Sequence, residues 1–366
     1  PIRDVVSMVK LKASYGLVGN DQIGGDRRFI YNETVIGGGK YYFGTTPSQY
    51  TSVRLGEFPN PNVGWEKAKK LNLGADLSFF NQLNISVDYF KENREGIFLQ
   101  RKSIPMYVGL STKPWVNIGK MRNSGIDASL EYHQPLGKDL HLTVRGNFTY
   151  ARNRIMDQDE PDYAYTYMNR SGQMQWQKFG LVAVGLFQDQ EDIDSWTKQS
   201  FGEVKPGDIK YLDLNGDGIV DSYDTKPIGY SDIPEIVYGF GFSLQWKAFD
   251  LSAFFQGVAH VNFSTLTDQT QAFVGRNLKE SSVFADLYGN TWTPENPGAK
   301  YPRMTTGAVD NNNQLSTFWM ADGRYLRLKN LELGYTLPKR IANKIAMQNL
   351  RVYLSGVNLF TFSPFK

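Results

Sequence analysis

The chain has 366 residues, with 40 Lys and Arg against 37 Asp and Glu, 14% aromatic residues, 35 Gly and no Cys. A formal net charge of +3 gives no electrostatic argument for nucleic acid as a partner, and the missing Cys excludes disulfides and thiolate metal sites. No run reaches the roughly 18 apolar residues of a membrane helix, a test that alternating barrel strands never meet either, and the opening residues lack the basic-then-apolar pattern of a signal peptide.

Taken in chain order, period-two alternation predicts strands over 9–17, 69–80, 83–92, 118–134, 140–154, 235–247, 249–263, 324–337 and 350–360. In "LNISVDYF", Leu83, Ile85, Val87 and Tyr89 share one face while Asn84, Ser86 and Asp88 share the other. "GIDASLEYH" and "LHLTVRGNFTY" repeat the pattern, with Asp127, Glu131 and Arg145 on the polar side. The strand over 324–337 changes register near Asn330, which predicts a bulge. Aromatic residues near strand ends (Phe79, Phe80, Tyr150, Trp246, Phe249, Tyr335) fit interfacial girdles and fit a sandwich core as well.

Connection lengths carry more information than the strands. Tight turns follow 69–80, 118–134 and 235–247, whereas 18–68, 93–117, 155–233 and 264–323 are long, and 338–349 is of middling length. Short turns on one side and long loops on the other are the habit of outer-membrane barrels. Alternation alone fits a soluble sandwich equally, since one buried and one wet face gives the same pattern. The fold class expected is all-β, an antiparallel transmembrane β-barrel with long extracellular loops. If the tight turns are periplasmic, the first and last predicted strands both run outward. A closed bacterial barrel has an even number of strands, so residues 1–366 are expected to form part of a larger barrel.

Within 155–233, "DLNGDGIVDSYD" has the spacing of a calcium loop without flanking amphipathic helices. Counting from Asp213, oxygen ligands fall on Asp213, Asn215, Asp217, the Ile219 carbonyl, Asp221 and Asp224, with Gly218 at the sharp sixth position. Asp at position twelve and apolar Val220 at eight look like the loop of dockerins and extracellular calcium modules. An all-oxygen set with several carboxylates suits Ca2+, while a solvated Asn-Gly-Asp-Gly turn explains the same letters. The expected role is structural, a clamp on an external excursion of about eighty residues. Aromatic residues of the same excursion, Tyr163, Tyr165, Tyr167 and Trp176, offer faces for sugar rings or peptides, or pack loop on loop. No catalytic residues are expected: His133, His141 and His260 have no metal spacing, "GGG" at 37–39 precedes no helix, and no nucleophile stands in a recognisable setting.

Six phrases, in order, resemble one family. "PNPNVGWEKAKKLNLGADLSFF", "RNSGIDASLEY", "PGDIKYLDLNGDGIVDSYD", "WTPENPGAKYPR", "ADGRYLRLKNLELGYTLPKR" and "LRVYLSGVNLFTF" resemble successive blocks of the SusC/RagA-type TonB-linked outer-membrane proteins of the Bacteroidetes. The resemblance implies an active importer of glycan oligosaccharides or peptides and not an enzyme. It implies a plug domain and TonB box upstream, a barrel of about 22 strands, and a SusD-like surface lipoprotein as lid. On that reading this chain is a C-terminal barrel portion lacking the plug and the final strand, and its partners are TonB, the lipoprotein, outer-membrane lipid and the nutrient. The residues alone leave two alternatives open: an adhesive or structural calcium-binding surface protein, and a secreted glycan-processing β-sandwich enzyme. Substrate residues are not carried over from the family, because its loops differ with substrate.

Overall fold

The computed structural model describes residues 5–22, 27–110, 112–267, 283 and 285–365. Nine strands form one antiparallel sheet in which chain order and spatial order coincide. They are β1 Val6–Asn20, β2 Glu66–Phe79, β3 Leu83–Gln100, β4 Trp115–Pro135, β5 Leu140–Asp157, β6 Ile236–Trp246, β7 Phe249–Ala259, β8 Tyr325–Thr336 and β9 Arg351–Phe362. Each corresponds to one predicted strand. The sheet is open among the described residues, with β1 and β9 at its edges. No described helix is long and apolar enough to cross a membrane.

Where boundaries differ from expectation, a local irregularity had masked the alternation. Register shifts at Glu95/Ile97 and Ile97/Phe98 reverse the faces of β3, so it continues to Gln100 and not to 92, and the next connection shrinks to 101–114. The strand expected over 249–263 ends at Ala259, because His260 takes a left-handed φ of 52° and turns the chain away. The expected loop 18–68 contains a hairpin, Val35–Phe43 with Ser48–Leu55, whose shift between Gly37 and Lys40 breaks its period. The bulge near Asn330 is present: Leu328 and Asn330 pair with successive residues of β7, and Lys329 is the extra residue. The excursion expected over 155–233 spans 158–235 and adds no strand to the sheet. Of the connection 264–323, residues 268–282 and 284 lie outside the described residues.

The register sorts the side chains into two surfaces. One row across all nine strands reads Val9, Leu77, Ile85, Leu130, Gly146, Phe240, Phe255, Leu328 and Phe360. The neighbouring row on the opposite face reads Lys10, Asp76, Ser86, Ser129, Asn147, Gly239, Gln256, Arg327 and Thr361. An apolar outer face and a polar inner face are what a lipid-embedded barrel wall requires. Trp246, Phe249 and Tyr335 pack in sequence at the tight-turn end, the first pair stacked and the second tilted, at 6.3 and 4.7 Å between centroids. Tyr150 lies toward the opposite end, paired with Ile126 and Ile236.

Charges on the polar face cross-link strands that are not neighbours. Lys12 on β1 reaches Asp88 on β3 at 3.3 Å across Gly74 of β2, and also bonds Asp76 at 2.7 Å. A Cβ on Gly74 would collide with the Asp88 carboxylate. Gly334 of β8 does the same for Arg351 of β9 and Asp250 of β7, whose Nε–Oδ1 distance is 3.1 Å. In both places the missing side chain opens the path of an ion pair, so glycine here serves close approach and not a turn.

The only buried apolar cluster described lies outside the sheet. Leu181, Ile209, Tyr211, Val220 and Trp319 pack together, with Ala183, Leu186, Phe201, Leu266, Tyr301 and Phe318 around them. Its members come from 158–235 and from the described parts of 260–324, which meet in one cap on the side opposite the tight turns.

Candidate functional site

The cap is tied together by a buried polar centre. Asp208 is fully buried and receives Arg303 Nε at 2.8 Å, Arg303 Nη2 at 3.2 Å, Asn312 Nδ2 at 2.8 Å and the Lys205 N–H at 2.8 Å. A bidentate guanidinium with two further donors satisfies a carboxylate that burial alone would penalise. Asn312 Oδ1 accepts the Ile209 N–H, Asn311 Nδ2 donates to the Ile209 carbonyl, and Gln199 bonds the backbone of both Ile209 and Tyr211. Tyr211 donates its hydroxyl to the Asn311 carbonyl, and burial pushes that hydroxyl's pKa up. Neither Asp208 nor Arg303 stood out in the sequence. They belong to the phrases "PGDIKYLD" and "YPR", and only folding shows that these phrases meet.

The loop Asp213–Asp224 hangs from this core. Val220 is fully buried in the apolar cluster, which explains an apolar residue at the eighth position. Ile219 and Val220 pair in parallel with Lys198 and Gln199. Asp224 is also fully buried, accepting N–H groups from Leu214 at 2.6 Å, Asn215 at 3.2 Å and Asp221 at 2.8 Å. Asp221 and Asp224 form a capping box around the short helix Ser222–Asp224. Asp213 accepts from Gly216 and Gly218, Asn215 from Asp217, and Asp217 from Ile219, so each side chain curls back over the turn. Gly218 has a φ of 88°, the conformation the sixth position demands.

All six predicted ligand positions lie within this one turn, where Asp213, Asp217 and Asp221 carry carboxylates, Asn215 an amide oxygen and Ile219 its carbonyl, while the buried Asp224 carboxylate is occupied by backbone N–H groups. The donor chemistry fits a hard divalent cation. Asn215 Nδ2 bonds Asp217 Oδ2 at 2.9 Å, and among the described residues no three carboxylates or imidazoles form a ready-made metal cluster. The negative charge of the turn reaches Tyr167. Burial first, then the charges of Asp224, Tyr165, Asp217 and Asp213, raise the pKa of Tyr167.

Structure separates the four predicted contact residues. Tyr165 and Tyr167 stack on each other, 5.3 Å between centroids and 8° between planes, and Tyr165 meets Tyr223 edge-on. Tyr167 donates to the Tyr223 carbonyl at 2.7 Å, so this pair packs directly on the acidic loop. Tyr163 is half-buried. Trp176 is 63% exposed at a φ of 65°, a large apolar face turned to solvent. The histidines take ordinary roles: His133 faces Glu131 at 3.3 Å, and His260 bonds Glu235 at 3.1 Å while stacking on Tyr230.

A second anchored loop stands beside the cap. Asp159 accepts the N–H groups of Lys102 and Ser103, the Ser103 hydroxyl and Arg101 Nε, fixing the start of 101–114 to the end of β5. Burial opposes its ionisation, but the Ser103 N–H, the Arg101 guanidinium and the Lys102 N–H outweigh it and hold the carboxyl below the usual range. In the same region Asn60 Nδ2 bonds the Trp115 carbonyl and Asn117 bonds Gly64, seating "NPNVGWE" against the root of β4.

Comparison with known proteins finds one family description, TonB dependent receptor-like, beta-barrel, matching residues 11–359. TonB-dependent receptor P3 of Formosa agariphila is 29% identical over 99% of this chain and 36% of its own length. TonB-dependent receptor SusC of Bacteroides thetaiotaomicron is 26% identical over 99% of this chain and 35% of its own. The chain thus spans little more than a third of these relatives. The solved RagAB peptide transporter superposes with a TM-score of 0.70 at 22% identity, covering 99% of this chain and 38% of that one, which establishes a shared fold.

Proposed function

This chain belongs to the TonB-dependent receptor-like β-barrel family of the outer membrane, and from that premise we propose that it forms a barrel sector of a SusC/RagA-type importer of large nutrients. The observation that carries the reading is the sheet itself: nine strands with an unbroken apolar row on one face and a polar row on the other. In hydrocarbon every backbone donor and acceptor needs a partner, so a lipid-embedded sheet must close on further strands. Its cargo on this reading is a glycan oligosaccharide or a peptide, its energy comes from TonB through a region outside this chain, and a SusD-like surface lipoprotein covers the cap. The chain acts in transport and not as an enzyme. In cells expressing the full-length receptor, nutrient uptake should stop when TonB is removed while surface binding persists. Uptake that continues unchanged without TonB would refute active import.

We further infer that the loop 213–224 holds a structural Ca2+ through Asp213, Asn215, Asp217, the Ile219 carbonyl, Asp221 and Asp224. The support is the spacing of six oxygen donors along one turn that is anchored at the buried Val220 and Asp224. A site filled at a hundred times its dissociation constant adds about 2.7 kcal/mol to the folded cap. Chelation should therefore speed protease cutting between 198 and 225, and Asp213→Asn with Asp217→Asn should remove that sensitivity. Identical cutting with and without chelator would count against the ion. For nutrient contact, Trp176 is the best placed of the four aromatic residues, since Tyr165 and Tyr167 are occupied with the loop.

A further inference from the structure

The side of the sheet away from the cap carries an unbalanced charge. Its four turns cover 80–82, 136–139, 247–248 and 337–350, and hold Lys138, Lys247, Lys339, Arg340 and Lys344 against Asp139 alone. The two acids just inside this rim, Asp250 and Glu332, are both occupied by Arg351. Among the described residues Lys339, Arg340 and Lys344 meet no carboxylate within ion-pair distance, and Lys247 lies over the Trp246 ring at 5.7 Å.

The β8–β9 turn is built and not slack. Leu337 N–H bonds the Leu350 carbonyl, Met347 N–H bonds Ala342, Ala342 is fully buried, and Ala346 closes the turn at a φ of 58°. Thr336 N–H bonds the Ala248 carbonyl, which brings Lys247 beside the turn. Ile341 and Met347 nevertheless remain 49% and 46% exposed among the cations. The turn continues directly from the aromatic run Trp246, Phe249 and Tyr335 on the lipid face. Apolar side chains projecting between free cations, at the level of an aromatic girdle, are the composition of an interfacial anchor on an anionic bilayer surface.

We propose that the β8–β9 turn, with Lys247, binds the phosphate headgroup of an anionic phospholipid in the periplasmic leaflet. Lys339, Arg340, Lys344 and Lys247 face the headgroup, while Ile341 and Met347 enter the acyl boundary. The proposal rests on the membrane-spanning reading of the sheet and is independent of what the receptor imports.

The test uses the full-length receptor in detergent, titrated with phosphatidylglycerol or phosphatidylcholine and followed by native mass spectrometry. Phosphatidylglycerol should be retained in preference to phosphatidylcholine, and excess inorganic phosphate should fail to displace it. The triple variant Lys339→Gln, Arg340→Gln, Lys344→Gln should weaken retention roughly a hundredfold at low salt, and less as salt rises. Lys344→Gln alone should weaken it about fivefold, which keeps the test decisive if the triple variant does not fold. Lys339→Arg with Lys344→Arg, which keeps both charges, should leave retention at the parent's level. Equal retention of the two lipids, displacement by phosphate, or a triple variant within twofold of the parent would each overturn the proposal. A receptor that imports normally yet shows one of these outcomes refutes the lipid site and leaves the transport reading standing.

Discussion

Leu181 in the cap is 1% exposed, and Leu333 on β8 is 51% exposed, although both sit in backbone-paired segments of the same chain. The difference teaches where each region gets its stability. The cap buries apolar side chains against one another, as any water-soluble domain does. The sheet leaves its apolar face bare, is held by backbone ladders and by ion pairs laid over Gly74 and Gly334, and depends on lipid to cover the rest. A change of one kind should therefore have different consequences in the two regions.

The largest effect is expected at the cap's polar centre. Asp208→Ala would leave the Arg303 guanidinium and two further donors, Asn312 Nδ2 and the Lys205 N–H, without their acceptor. Losing one partner of a buried pair costs about 3–5 kcal/mol, so the cap should become protease-sensitive at temperatures where the sheet still migrates as a folded barrel on a gel. Simultaneous loss of cap and sheet would mean that the two regions are one cooperative unit.

Next in size is the contrast between the two leucines. Leu181→Ala removes a fully packed side chain and should cost about 2–5 kcal/mol in cap stability. Leu333→Ala removes a lipid-facing side chain that leaves no protein cavity, and should cost well under half of that, measured by denaturant unfolding of the receptor in lipid. Equal losses would mean that Leu333 faces protein.

These contrasts also explain what was legible in the sequence. The nine strands were readable because one face meets lipid and the other water, which writes a strict period of two into residues such as Leu83–Tyr89. The tight turn over 213–224 was readable because Gly218 takes the left-handed conformation that its place between the Asn and Asp residues requires. The cap was not readable as a domain. Its core residues Leu181, Ile209, Val220 and Trp319 lie in two- and three-residue strands and short turns, too brief to show a period. The Asp208–Arg303 pair joins residues far apart in sequence, and a lone Asp or Arg carries no mark of burial. The hairpin over 35–55 and the extension of β3 were hidden by register shifts, which exchange the faces in mid-strand.

The smallest effect concerns pH at the loop anchored by Asp159. Its carboxyl has a folded pKa below the ordinary value of about 3.9. The stability it contributes is therefore complete above that value and is lost as pH falls through the folded pKa. Proteolysis of 101–114 should be flat from neutral pH down to about 4 and should rise below it. Asp159→Asn should make cutting at neutral pH resemble that of the parent in acid. A rise in cutting centred between pH 5 and 7 would point to another group.

The central claim is the sidedness: a lipid-embedded sheet, a cap outside and basic turns inside. The chain contains no Cys, so single cysteines can be placed without background in an otherwise Cys-free receptor. Met106→Cys and Tyr288→Cys, at positions 92% and 82% exposed, should react with a membrane-impermeant maleimide on intact cells. Lys344→Cys in the β8–β9 turn should react only after the outer membrane is permeabilised. Labelling of Lys344→Cys on intact cells, or protection of both outer positions until permeabilisation, would contradict the account directly.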